Sequence, residues 1–180
     1  SEVRVNDFVL KIGTVNGTGS ASANGMLLKA LFRMGIPVTG KNLFPSNIQG
    51  LPTWYGIRVS HKGYMASSKR VDVMVAMNAQ TYKKDLENVT PGGFLVYDST
   101  WPRERQLNRT DITVLGVPLA KLCNENFSDA RVRILMKNIA YVGVLAALLN
   151  IDTVILRSLI EETFASKPKL VESNLKAINL

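Results

Sequence analysis

The chain has 180 residues, 46% of them hydrophobic, and carries 22 Lys and Arg against 14 Asp and Glu, a net charge of +8. That length suits one globular domain, or one with a short appendage, and allows a sizeable core. A single cysteine, Cys123, and a single histidine, His61, exclude an intrachain disulfide and a four-thiolate cluster, and leave too little for a zinc site or a Ser-His-Asp triad.

Asp7 to Ile12 reads as a buried strand, and a helix is expected from Met26 to Met34. Between them runs Gly13-Thr-Val-Asn-Gly-Thr-Gly-Ser-Ala-Ser-Ala-Asn-Gly25. Glycines there permit positive φ and close ligand approach, and a helix start adds partial positive charge. Phosphate or carboxylate is the natural guest. Two readings stay open: a tight packing turn, or a contact to an anion or cofactor phosphate through Asn16, Gly17, Thr18, Gly19 and Ser20. No lysine follows Gly19, so the P-loop pattern fails; glycines at 13, 17 and 19 also miss the dinucleotide fingerprint. The ribose-binding acid that pattern needs is absent from Ile36 to Lys41.

Gly35 stops the helix, and Ile36 to Thr39 is expected as a second strand. Gly40 to Pro52 shows no periodicity and is expected to be a long loop. With Phe44, Ile48, Leu51 and Trp54 beside it, this segment holds much apolar surface for a loop, which favours docking to another subunit over packing on its own domain. The docking residues proposed are Lys41, Asn42, Phe44, Ser46, Asn47, Gln49 and Trp54. Thr53 to Ser60 alternates as a strand, and His61 to Gly63 suggests a hairpin turn into Tyr64-Met65-Ala66.

Val71 to Met77 is expected as a central strand, Ala79 to Asn88 as a helix, Phe94 to Asp98 as a strand and Ile112 to Val117 as another, with an exposed loop from Ser99 to Asn108. From Leu119 the pattern is helical. Arg131 to Asn150 is a long apolar helix; Asp152-Thr153 caps a helix to Ser166, and Leu170 to Leu180 closes the chain as a helix. Strands alternating with helices place the chain in the α/β class, as a three-layer α/β/α sandwich around an open, mixed, mostly parallel sheet. The segments after the first strand, at Lys41 to Pro52 and at Asn78-Ala79-Gln80 are expected to converge at the carboxyl edge of that sheet, where ligands collect.

The positive charges are scattered, with no run of five, so no nucleic-acid partner is expected. The longest apolar run, Ile139 to Leu149, is too short to span a bilayer. With no signal peptide visible, the expected location is cytoplasmic, with no membrane partner.

Four segments carry a resemblance: Val15-Asn-Gly-Thr-Gly-Ser; Arg33-Met-Gly-Ile-Pro-Val; Phe44-Pro-Ser-Asn-Ile-Gln-Gly; and Tyr55-Gly-Ile-Arg-Val-Ser. Together they resemble the gamma-type domain of 2-oxoacid:ferredoxin oxidoreductases, most closely the amino-terminal part of the alpha subunit of 2-oxoglutarate-type enzymes. Val71-Asp-Val-Met-Val-Ala-Met and Pro91-Gly-Gly-Phe-Leu-Val-Tyr-Asp fit later strands of the same domain. The resemblance implies one gamma-type domain over 1–180, with 167–180 as a linker helix to a following domain or a C-terminal extension. The chain would be an excised domain or a separately encoded subunit.

The implied complex oxidatively decarboxylates a 2-oxoacid, 2-oxoglutarate by this likeness, joins the acyl group to coenzyme A and reduces ferredoxin. It would use thiamine diphosphate, magnesium and iron–sulfur clusters housed in other domains or subunits. This chain is expected to bind none of these alone, to contribute no catalytic or metal-ligating residue and to be inactive when isolated. Its contribution would be assembly and contact to a phosphate of coenzyme A. Many family members have Gly-Gly-Gln-Gly or Ala-Gly-Gln-Gly where this chain has Asn16-Gly17-Thr18-Gly19; Thr18 loses the amide and keeps a hydroxyl. The alternative is a stand-alone module binding a phosphorylated metabolite or another anion.

Overall fold

The computed structural model describes residues 7–43, 48–60 and 69–180. Two compact units divide the chain: residues 1–17 with 36–117, and residues 18–35 with 118–180. The first unit is a six-stranded sheet. Its strands are β1 (Asp7–Val15), β2 (Val38–Leu43), β3 (Pro52–Ser60), β4 (Val73–Ala76), β5 (Phe94–Asp98) and β6 (Thr113–Val117), in the order β2-β3-β1-β4-β5-β6. β1, β4, β5 and β6 pair in parallel, while β3 runs antiparallel to both β1 and β2. The sheet is therefore mixed and mostly parallel, as the alternation of elements implied.

Burial follows sheet position. β4, Val-Met-Val-Ala, is buried at every residue, the mark of a central strand covered on both faces. β2 lies at an edge, with Thr39, Gly40, Lys41 and Asn42 all exposed. On one face of the sheet Met74, Ala76, Leu95 and Tyr97 pack with Tyr82 and Val89, from and next to α2 (Tyr82–Asn88). A 3-10 turn, Ala79–Thr81, leads into that helix, and the Asn78 side chain caps it by accepting from the Gln80 N–H at 3.1 Å.

The second unit is helical: α1 (Ser20–Arg33), α3 (Leu119–Asn126), α4 (Ala130–Leu148), α5 (Thr153–Thr163) and α6 (Pro168–Ile178). α4 is its spine and packs against α1, α3 and α6. Asp129 and Asp152 cap α4 and α5 through the N–H groups of Val132 and Val154, at 3.0 and 2.9 Å. The Tyr141 hydroxyl on α4, fully buried, donates to the Asn24 side-chain oxygen on α1, and burial pushes the phenol far above its ordinary range. α6 presses against α4 so closely that a Cβ at Gly143 would lie 2.6 Å from the Ile178 carbonyl oxygen.

Two expectations change. α1 begins at Ser20, six residues before Met26, because Ser20, Ala23, Asn24 and Leu27 recur at helical spacing and are buried. Alanine and serine lose little in a helix, so this small-residue run continues it. Second, Gly40 to Leu43 belongs to β2, so Lys41 and Asn42 stand on an edge strand and not in a loop. β3 has β2 along one edge and β1 along the other, antiparallel to both. The turn expected at His61 to Gly63, and Tyr64 to Ala66 after it, lie outside the described residues, as do Phe44, Ser46 and Asn47.

Candidate functional site

In the sheet unit, Val15 pairs with Pro52 and Leu43 with Trp54, so the carboxyl ends of β1 and β2 and the start of β3 share one sheet edge. β4 and β5 end on the same edge. Asn16, the 48–51 segment and Asn78 thus converge as the sequence suggested. Asn16 is clasped there: its N–H donates to the Leu51 carbonyl at 2.9 Å, its carbonyl accepts from Gly50 N–H at 2.9 Å, and its side-chain amide donates to the Ile48 carbonyl at 3.0 Å. Gly17 follows at φ +90°, where a Cβ would lie 2.7 Å from Cγ of the exposed Gln49.

In the helical unit, the Thr18 carbonyl accepts from the buried Asn138 side-chain amide at 2.6 Å. Gly19 is the N-cap of α1 at φ +82°, and a Cβ there would collide with Leu135 Cδ2. Gly19 has no side chain with which to cap α1, and no acidic residue stands in the first turn. A helix start carries a partial positive charge that favours an anion. Ser20 is buried. Asn138, missed from the sequence, was visible there only as a polar residue in the middle of a long helix, just before the apolar run Ile139 to Leu149.

Trp54 is not a surface docking residue. It is 7% exposed, and its indole N–H donates to Asp85 Oδ1 at 2.8 Å inside the sheet unit. Its register partner is Gly13, where a Cβ would lie 2.9 Å from Trp54 Nε1 and 3.0 Å from Asp85 Oδ2, so only glycine fits under the indole edge. Thr81 Oγ1 donates to Asp85 Oδ2 at 3.0 Å. The ammonium groups of Lys84 and Lys11 lie 4.7 and 5.6 Å from the centre of the Trp54 ring. Burial raises the Asp85 pKa above the carboxylate norm against the opposing pull of Trp54, Thr81 and the two lysines; burial likewise lowers that of Lys11. With donors on both carboxylate oxygens, Asp85 ties α2 to β3 through Trp54 and to the turn before it through Thr81. In the sequence it reads as one more charge beside Lys83, Lys84 and Glu87 on a solvated helix face.

Among the described residues, no group of three or more His, Cys, Asp or Glu is placed to hold a metal ion, and no helix is long and apolar enough to cross a membrane. Cys123 is buried and is the only cysteine of the chain, so an iron–sulfur cluster does not fit its residues. A groove of about 360 Å³ between the α3–α4 turn and α6 carries Asp129 and Glu172 beside Lys169 and Lys176, with no surplus of either charge. Lys176 is engaged there, donating to the Asn126 carbonyl at 2.9 Å.

Residues 9–180 match the family model described as pyruvate ferredoxin/flavodoxin oxidoreductase. The chain belongs to this family. Subunit alpha of 2-oxoacid:ferredoxin oxidoreductase 2 from Aeropyrum pernix is 34% identical over 123 residues, which cover 68% of this chain and 19% of that protein. The ketoisovalerate oxidoreductase subunit VorA of Methanothermobacter thermautotrophicus is 28% identical over 98% of this chain and 35% of its own length. This family member thus spans well under half of the curated relatives it matches.

The fold recurs in solved structures. A 2-oxoglutarate:ferredoxin oxidoreductase from Magnetococcus marinus, with 2-oxoglutarate, coenzyme A and succinyl-CoA bound, superimposes with a TM-score of 0.82 at 24% identity, over 97% of this chain and 30% of that one. Pyruvate oxidoreductase subunit PORC from Thermotoga maritima gives 0.77 at 17% identity, over 96% of this chain and 93% of that one. The gamma subunit of a keto/oxoacid ferredoxin oxidoreductase from Geobacter sulfurreducens gives 0.73 at 15%, over 96% and 94%. At these identities the likeness establishes the α/β fold.

Proposed function

We propose that the chain works as a gamma-type component of a 2-oxoacid:ferredoxin oxidoreductase acting on 2-oxoglutarate and coenzyme A. It serves assembly and coenzyme A contact, not the redox chemistry. The observation that carries this reading is the family match, which runs from residue 9 to residue 180. The relative from Aeropyrum pernix, a subunit of a 2-oxoacid:ferredoxin oxidoreductase, supports it. Preference for 2-oxoglutarate and coenzyme A rests on the sequence resemblance and on the ligands of the Magnetococcus marinus structure.

Thiamine diphosphate with magnesium supplies the carbanion chemistry in this reading, and iron–sulfur clusters carry electrons to ferredoxin in the cytoplasm. Both would lie in other domains or subunits; the one cysteine of these 180 residues cannot furnish a cluster's four thiolates. The chain's own residues bind and orient. The start of α1, entered through Gly19, presents a partial positive charge that suits a phosphate oxygen. Lys41, Asn42 and Gln49 are exposed on the β2–β3 hairpin, and Ile48 and Leu51 are 65% and 43% exposed between those strands. That mixed apolar and polar surface suits a partner subunit.

The coenzyme A contact is tested by calorimetry on the 180-residue chain and its Ala21→Glu variant. Ala21 is exposed in the first turn of α1, where glutamate favours the helix yet repels a phosphate. The expected result is measurable binding of coenzyme A by the natural chain, about tenfold weaker in the variant, with thermal stability unchanged or raised. No binding by the natural chain, or equal binding by both, would remove the coenzyme A part of the reading.

A further inference from the structure

We propose that the helical unit docks an acidic face of a partner subunit through the first half of α4, with Ile134 and Leu135 at the centre and Arg131 and Lys137 beside them. The inference rests on the reading above that the chain works among partner subunits. Ile134 and Leu135 are 50% and 42% exposed, although the same helix goes on to bury Tyr141, Val142, Leu145 and Ala146. Single exposed apolar residues are ordinary, but two in succession make a patch. Leu135 is already held in place: a Cβ on Gly19 would collide with its Cδ2. Three residues on, the Asn138 amide donates to the Thr18 carbonyl at 2.6 Å, tying this stretch of α4 to the start of α1. A side chain ordered beforehand loses little freedom when a partner covers it.

Charge says what covers it. α4 carries Arg131, Arg133 and Lys137 and no carboxylate along its 19 residues. Arg131 precedes Ile134 by three residues and Leu135 by four, and Lys137 follows Ile134 by three. Those spacings set each cation beside its apolar neighbour on the helix surface. Arg131 is exposed, and neither it nor Lys137 joins an ion pair among the described residues. Arg133 is committed elsewhere, donating to the Phe127 carbonyl at 2.6 Å. Asp129, just before the helix, is occupied as its cap, accepting from Val132 N–H at 3.0 Å. The first turn of α1, beside Leu135, adds no acid.

An apolar centre with arginine at its margin has the makeup of a protein interface, and it selects a partner that brings carboxylates around an apolar patch. A second copy docking through the same face would set cations against cations, which disfavours it.

The test measures binding of immobilised partner subunits, those bearing thiamine diphosphate and clusters, to the natural chain and to Ile134→Glu, Leu135→Glu and Arg131→Glu. Val154→Glu is the control, since Val154 is 67% exposed on α5 and the change adds the same charge away from the patch. Glutamate suits a helix, so melting temperatures should hold; Ile134→Glu carries the test if loss of the Leu135 contact to Gly19 lowers them. Ile134→Glu and Leu135→Glu are expected to weaken binding about tenfold or more, with Val154→Glu unchanged. Arg131→Glu should slow association, and salt should weaken binding of the natural chain more steeply than that of this variant. A complex that ignores all three changes, shows no salt dependence, or loses as much in Val154→Glu would overturn the proposal and leave the assembly reading standing. Absence of any complex, natural chain included, would remove both. Self-association of the chain, or its binding to phosphatidylglycerol vesicles, abolished by Ile134→Glu would give the face another occupant and also overturn the proposal.

Discussion

Trp54→Ala is expected to lower the stability of the chain by about 3–5 kcal/mol, the range for truncating a buried aromatic, read as a drop in the urea midpoint at unchanged slope. Two losses combine. The indole is 7% exposed between β1 and α2, and its removal opens a void beside Gly13. It also takes away the N–H held by Asp85, leaving a fully buried carboxylate with one donor fewer. Trp54→Phe keeps most of the apolar area and isolates the second loss, about 1–3 kcal/mol for an under-satisfied buried acceptor.

The pH dependence of that second deficit identifies Asp85 as its source. Burial holds the folded-state pKa of Asp85 above the unfolded value, so its contribution is fully present below the unfolded pKa and is lost as pH rises through the folded one. Removing the Trp54 donor raises the folded pKa further. The Trp54→Phe deficit should therefore grow from acid toward neutral pH in paired urea titrations. A pH-independent deficit would assign the loss to packing alone. Had Trp54 been a docking residue, its replacement would instead have left the isolated chain's stability within about 0.5 kcal/mol.

The second large effect is expected at Gly143. A Cβ there meets the Ile178 carbonyl oxygen at 2.6 Å, and a backbone atom cannot swing aside as a side-chain tip can. Gly143→Val should lift the end of α6 from α4 at a cost of about 1–3 kcal/mol. In Gly143→Ala the gain in helix propensity, about 1 kcal/mol, offsets part of the same clash. Hydrogen exchange is the readout: α6 amides should lose protection in Gly143→Val while those at the centre of the sheet keep theirs. Unchanged protection of α6 would show that α4 and α6 are less tightly apposed than described.

Elements with strong local patterns were legible in the sequence. The apolar run Val71 to Met77 predicts a central strand, observed at Val73–Ala76, and Asp152 predicts a helix start that its side chain does cap. What escaped depends on pairing between distant residues. β2 beyond Thr39 gives no alternation because an edge strand exposed on both faces has no inner side to encode. Trp54, beside an apolar-rich loop, suggests a surface patch until register sets it over Gly13 and under Lys84. Asn78 stood out only as a turn residue. That one arm of its amide is used and the other is not emerges from the folded turn.

Reconstitution tests the central claim most directly. Partner subunits carrying thiamine diphosphate and iron–sulfur clusters would be assayed for ferredoxin reduction with 2-oxoglutarate and coenzyme A, with and without this chain, alongside the chain alone. The account predicts no turnover by the chain alone, little by the partners alone, and full activity when they are combined. Ferredoxin reduction by the isolated chain, or partner subunits equally active without it, would contradict the account.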